Sequence, residues 1–109
     1  MALKPPFYLK ISARYPQVIA AVESLGETLR GAGPLDQKTL HLVQLAAAAA
    51  VHSEGAVHSH ARRALSSGAS GEEVRHALLS LTSTIGFPNV TAALSWAEDV
   101  LDQTDTLKD

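Results

Sequence analysis

A chain of 109 residues, 46% of them hydrophobic and none a cysteine, has room for one small core and excludes disulfides, thiolate metal sites and thiol redox chemistry. Its formal charge of −2, with no basic cluster beyond Arg62-Arg63, argues against a nucleic-acid partner, because phosphate binding requires a clustered basic face. The longest apolar run, Leu45 to Val51, is too short to cross a bilayer, and Lys4-Pro5-Pro6 and Lys10 interrupt the N-terminus before a signal-type segment can form, so no membrane partner is expected and the expected location is cytoplasmic.

Residues 1–13 show no sustained period and contain Pro5-Pro6, so they read as an extended arm with Phe7 and Leu9 available to a neighbour. Pro16 suits the first turn of a helix, in which Val18, Ile19, Val22, Leu25 and Leu29 recur at helical spacing until Gly31-Ala32-Gly33-Pro34 stops it. Asp36 is placed to cap a second helix through about Val51, where Leu40, Leu42, Val43, Leu45 and the alanines at 46–50 leave almost no polar face. A third helix is predicted from about Glu54 to Ser66, with Ser53 as its N-cap and Gly68 in a left-handed position beyond its end. Ser70 and Glu73 form a capping box for the fourth, whose apolar stripe is Val74, Ala77, Leu78, Leu81 and Ile85.

Gly86-Phe87-Pro88 breaks the chain before a fifth helix with Val90, Ala93, Leu94, Ala97 and Leu101 on one face, and the polar tail 102–109 is expected to fray. The pattern predicts a single all-α domain over residues 1–109, a compact bundle of about five helices. Large side chains are few (two Phe, two Tyr, one Trp) and alanine is abundant, so the helices must approach closely and bury modest area. A second copy of the chain is therefore expected to complete the core.

Rotation by 100° per residue sorts the five histidines. His60 shares a face with Val57, Ala61 and Ala64, so its ring is predicted to point inward. His58 falls beside Glu54 and Arg62 on the predicted solvent side, which makes His58-Ser59-His60 a poor chelate within one helix. His76 aligns with Glu73, Ser80 and Ser83 and reads as exposed. His41 and His52 are separated by about 20° more than three full turns, so they share a stripe with Gln44 and Ala48 between them. A buried polar group left unsatisfied costs about 1–3 kcal/mol, and the helix carrying His60 is the nearest source of partners for this stripe.

Three readings of these rings stay open. His41 and His60 are neutral core rings hydrogen-bonded to backbone or to each other. Or they exchange protons in a pocket, as an imidazole of ordinary pKa about 6.5 can near neutral pH. Or, with His52, they hold a metal, which imidazoles suit; no H-x-x-x-H or carboxylate-rich spacing supports that, and neither metal nor other cofactor is expected. Ser53 as a nucleophile lacks any recognisable triad order, and Glu54 reads as a first-turn carboxylate favoured by the helix dipole.

Pro34-Leu35-Asp36, His60-Ala61-Arg62-Arg63-Ala64-Leu65, Gly68-Ala69-Ser70 and Gly86-Phe87-Pro88, taken together, resemble the alkylhydroperoxidase D-like / carboxymuconolactone decarboxylase family over about half the chain. The resemblance implies an all-α homo-oligomer, a trimer or hexamer. In the family's redox branch a CxxC pair and a glutamate work with a histidine; here the glutamate's place is taken by His41 and the cysteines' places by Ser53 and Ala56, and His60 alone is kept. Serine forms no disulfide and alanine offers no nucleophile, so a thiol peroxidase cycle at this site is excluded.

The decarboxylase branch works without the cysteine pair. The activity the resemblance implies is thus cofactor-independent acid–base chemistry on a small organic acid or lactone, with His60 and His41 catalytic. Ser53, Gln44, Arg62 and Arg63 would bind the substrate, an arginine of the same or an adjacent subunit pairing with its carboxylate. The alternative is a catalytically inactive member that serves ligand binding or assembly.

Overall fold

The computed structural model describes the backbone of residues 6–108 and the side chains of residues 6–102. Every regular element in that range is helical: α1 (Pro6–Arg14), α2 (Pro16–Arg30), α3 (Gln37–Ala50), α4 (Glu54–Ser66), α5 (Gly71–Leu79), α6 (Thr82–Ile85) and α7 (Phe87–Lys108). The helices group into two units, one ending at Asp36 and one beginning at Gln37.

In the first unit, helix replaces the extended arm expected over residues 1–13, of which residues 1–5 lie outside the described range. The Pro5-Pro6 pair, read as extended chain, instead leaves Pro6 as the first residue of α1, where its fixed φ and missing N–H cost nothing. The Tyr8 hydroxyl donates to the Glu23 carboxylate and ties α1 to α2. Tyr15 interrupts the helix, and Pro16 opens α2 as expected. The α2 stripe has the helical period, yet Val18, Val22, Leu25 and Leu29 are each 58–59% exposed. Periodicity identifies an apolar face; it does not determine whether that face is buried.

The second unit holds the core. Leu45 of α3, Val57 of α4, Val74 and Leu78 of α5 and Val90 of α7 are fully buried, and Ala48, Ala49, Ala61, Ala64, Ala93 and Ala97 fill the spaces between them. Alanine has no side chain beyond Cβ, so it lets backbones approach while losing no rotamer entropy. Three residues join α3 to α4, which makes them an αα-hairpin.

Local signals explain most of the boundaries. The Ser53 hydroxyl accepts from Ala56 N–H at 3.3 Å and caps α4. Ser70 and Glu73 form the reciprocal capping box of α5, at 3.0 and 2.9 Å. That backbone hydrogen bond, with help from Lys38, holds the exposed Glu73 carboxyl below the usual carboxylate range. After α4, Gly68 at φ 104° lets Ala69 N–H reach the Ala64 carbonyl and its own N–H the Leu65 carbonyl, the paired bonds of a Schellman end.

The end of α3 has the same pair of bonds without a glycine. Ser53 N–H donates to the Ala48 carbonyl at 3.0 Å and His52 N–H to the Ala49 carbonyl at 3.1 Å, with His52 itself at φ 59°. A side chain in that left-handed region costs about 1–2 kcal/mol. His52→Gly is expected to stabilise the protein by about 0.5–1 kcal/mol, the relief of strain being partly offset by the freer unfolded chain. Urea denaturation checks this: a lower midpoint for the glycine variant would show that the His52 side chain contributes more than its backbone loses.

The fourth predicted helix divides into α5 and α6. The Ser80 hydroxyl donates to the Ala77 carbonyl and that of Thr82 to the Leu79 carbonyl, each at 2.7 Å, which draws the last carbonyls of α5 toward side chains in place of the next turn. Two more helices than the five expected result from this break and from α1. Gly86 at φ 88° then separates α6 from α7. The α7 backbone is helical to Lys108. Arg75 of α5 clamps α7 through Glu98 at 2.6 and 3.2 Å and also binds Glu72 at 2.9 Å. The first of these contacts lowers the Glu98 carboxyl and raises the Arg75 guanidinium from their ordinary values. Among the described residues, no helix is long and apolar enough to cross a membrane.

Candidate functional site

The alanine-rich faces of α3 and α4 bring two imidazoles together. His41 is 4% exposed in α3, one turn before Leu45, and His60 is half-buried in α4, one turn before Ala64. Their ring centroids are 5.9 Å apart and the planes are tilted by 32°. The Nδ1 atoms of both rings are shielded from solvent. A ring among aliphatic side chains keeps its polar atoms only where it meets another polar group or a ligand, and here each ring faces the other.

Gln44 stands one helical turn from His41, and its Oε1 is buried with no hydrogen-bond partner among the described residues. An acceptor left in that condition is unfavourable by about 1–3 kcal/mol, so this position favours a hydroxyl or amide donor from outside the chain. Ser53, half-buried, has a lone pair engaged in capping α4; its hydroxyl proton is still available for donation.

The two arginines separate. Arg63 lies one turn beyond His60, on the next ridge of α4, whereas Arg62 is rotated about 200° from His60 and cannot address the same side of the helix. Both are half-buried. Burial, and after it the positive charge of Arg63, lowers the Arg62 guanidinium from its ordinary value.

Two expectations about the remaining histidines need correction. His52 does not continue the His41 stripe: α3 ends at Ala50, and the left-handed turn at His52 leaves that residue exposed. A metal set made of His41, His60 and His52 loses its third member. His58 is not simply turned to solvent: it is half-buried, and its Nε2 lies 3.1 Å from Asp99 Oδ2 of α7. The Glu54–His58 spacing on one helix was visible in the sequence; Asp99, 41 positions beyond His58, gave no local signal. His76 is exposed in the last turn of α5, as its helical phase indicated. A shallow cleft of about 370 Å³ is lined by Arg14, Tyr15, Pro16, Gln17 and Val18; it holds neither imidazole nor carboxylate and offers no proton-transfer pair.

Residues 16–99 match the family model described as the carboxymuconolactone decarboxylase family. That span includes every site residue named above. No curated protein and no solved structure gives a significant match to the chain.

Proposed function

The chain belongs to the carboxymuconolactone decarboxylase family, and from that premise we propose that the His41–His60 pair is a proton-transfer site for a small organic acid or lactone. The observation that carries the reading is the pair itself: two imidazoles on adjacent helices, 5.9 Å apart, beside a core built from aliphatic side chains. Two positive charges at that separation repel, which disfavours the doubly charged pair and keeps at least one ring neutral and able to accept a proton. In this reading His60 exchanges the proton with the substrate, and His41 holds the complementary charge state. The buried Gln44 acceptor and the Ser53 hydroxyl orient the ligand. A substrate carboxylate pairs with Arg63, or with Arg62 of an adjacent subunit. No thiol takes part, because these 109 residues contain no cysteine.

Self-assembly belongs to the same proposal. The α2 face of Val18, Val22, Leu25 and Leu29, more than half exposed at each position, is the kind of apolar surface that a trimer or hexamer of this chain would cover.

The test is consumption of small carboxylic acids and lactones by the purified full chain, followed by NMR. For any compound turned over, His60→Gln is expected to slow the reaction by about 100-fold or more while melting temperature and elution volume are kept. Equal turnover by the variant removes the proposal. One observation favours a second reading: the Ser53 hydroxyl that replaces a family cysteine is engaged in capping α4, consistent with a structural role at a retired site. Under that reading His60→Gln alters ligand affinity or stability and there is no turnover to lose.

A further inference from the structure

On the side of α4 that faces α7, and separate from the His41–His60 pair, Glu54 and His58 stand four residues apart and therefore on one face of the helix. Asp99 of α7 meets them there. The three side chains each offer one donor atom, and these atoms all lie within 4.8 Å of one another. We propose that Glu54, His58 and Asp99 form a binding site for a divalent transition-metal ion of the zinc class, bridging α4 to α7.

The geometry is close to what such an ion needs. Zinc holds imidazole nitrogen and carboxylate oxygen at about 2.0–2.2 Å, which places neighbouring donors roughly 3–3.5 Å apart. His58 Nε2 and Asp99 Oδ2 are already 3.1 Å apart. The exposed Glu54 side chain has three rotatable bonds with which to close the remaining gap. His58 is the half-buried member, so its ring is the pre-oriented donor, and the two exposed carboxylates close over it.

Charge and donor chemistry agree. A simple ion pair accounts for His58 and Asp99 but not for Glu54, to which Arg62, on the same face of α4, makes no ion pair among the described residues. A divalent cation neutralises both carboxylates and leaves the imidazole neutral, the form in which it is a ligand. One nitrogen and two oxygens suit zinc better than magnesium, which prefers oxygen alone, or copper(I), which prefers sulfur. A fourth position on this exposed rim falls to water.

The full chain, without an affinity tag and freed of metal with a chelator, is titrated with zinc chloride at neutral pH by calorimetry, with melting followed in parallel. One ion per chain is expected to bind, with micromolar or tighter affinity, and saturating zinc to raise the melting temperature by about 4 °C or more. Glu54→Gln, His58→Gln and Asp99→Asn should each weaken binding by about tenfold or more, and His60→Gln should leave it unchanged. Glu54 is exposed, so its variant keeps the fold, and circular dichroism confirms that for all of them. Binding only at millimolar zinc, or undiminished binding in the His58 and Glu54 variants, overturns the site. Loss of binding in His60→Gln does too, because it would place the ion at the core pair. The zinc titration reads no turnover by the His41–His60 pair, so the two proposals fail independently.

Discussion

Leu78→Ala is expected to lower the stability of the unit from Gln37 onward by about 2–5 kcal/mol. Leu78 is fully buried on α5, within the cluster that also contains Leu45, Val57, Ala93 and Ala97. Removing its isobutyl branch forfeits the transfer free energy of the lost carbons and leaves a cavity. The many alanines around it have no χ angle with which to move into that space, and a site that cannot collapse lies toward the upper part of the range. In a domain of this size each kcal/mol corresponds to about 4–8 °C in Tm, so thermal and urea denaturation both resolve the effect. The neighbouring Leu79 is 51% exposed, and Leu79→Ala should stay within about 0.5 kcal/mol of the parent. If the two variants cost the same, Leu78 is not the inward-facing residue of α5.

Where sequence and structure agree, the responsible signal is local. Ser53 as N-cap, the Ser70–Glu73 box and Gly68 beyond α4 each require only atoms within five residues, and each is present with the expected bonds. The all-helical class follows from the same kind of signal repeated along the chain. The inward phase of His60 was also legible, because Val57, Ala61 and Ala64 define that stripe, and all three are fully buried.

What was missed is either long-range or rests on an uncommon conformation. No rule of spacing could attach Asp99 to His58 or Glu98 to Arg75, since those pairs depend on how α4 and α5 meet α7. The loss of His52 from the His41 stripe turned on a non-glycine residue adopting a left-handed φ, a state in which histidine is only moderately enriched. The α2 stripe was read from its period as a helix, and period reports only that one face of it is apolar. Burial of that face is not set by its period: Val18, Val22, Leu25 and Leu29 are all more than half exposed.

The spacing of the two site histidines should itself depend on alanine. Ala64 is fully buried one turn beyond His60 on the inward stripe of α4, within the packed core cluster. A leucine at 64 adds three carbons where the packing leaves no room for them. Ala64→Leu is therefore expected to cost about 1–3 kcal/mol through overpacking. If the strain is relieved by movement of α3 away from α4, the His41 and His60 rings must separate from their present 5.9 Å, so a proton or ligand that needs both rings loses one of them. NMR titration of the two imidazoles measures this directly. In the parent, protonation of one ring should shift the resonances of the other, and in Ala64→Leu that cross-effect should shrink as Tm falls. A variant with lowered Tm and undiminished cross-effect would mean that the rings are held together by something other than the close approach of α3 and α4.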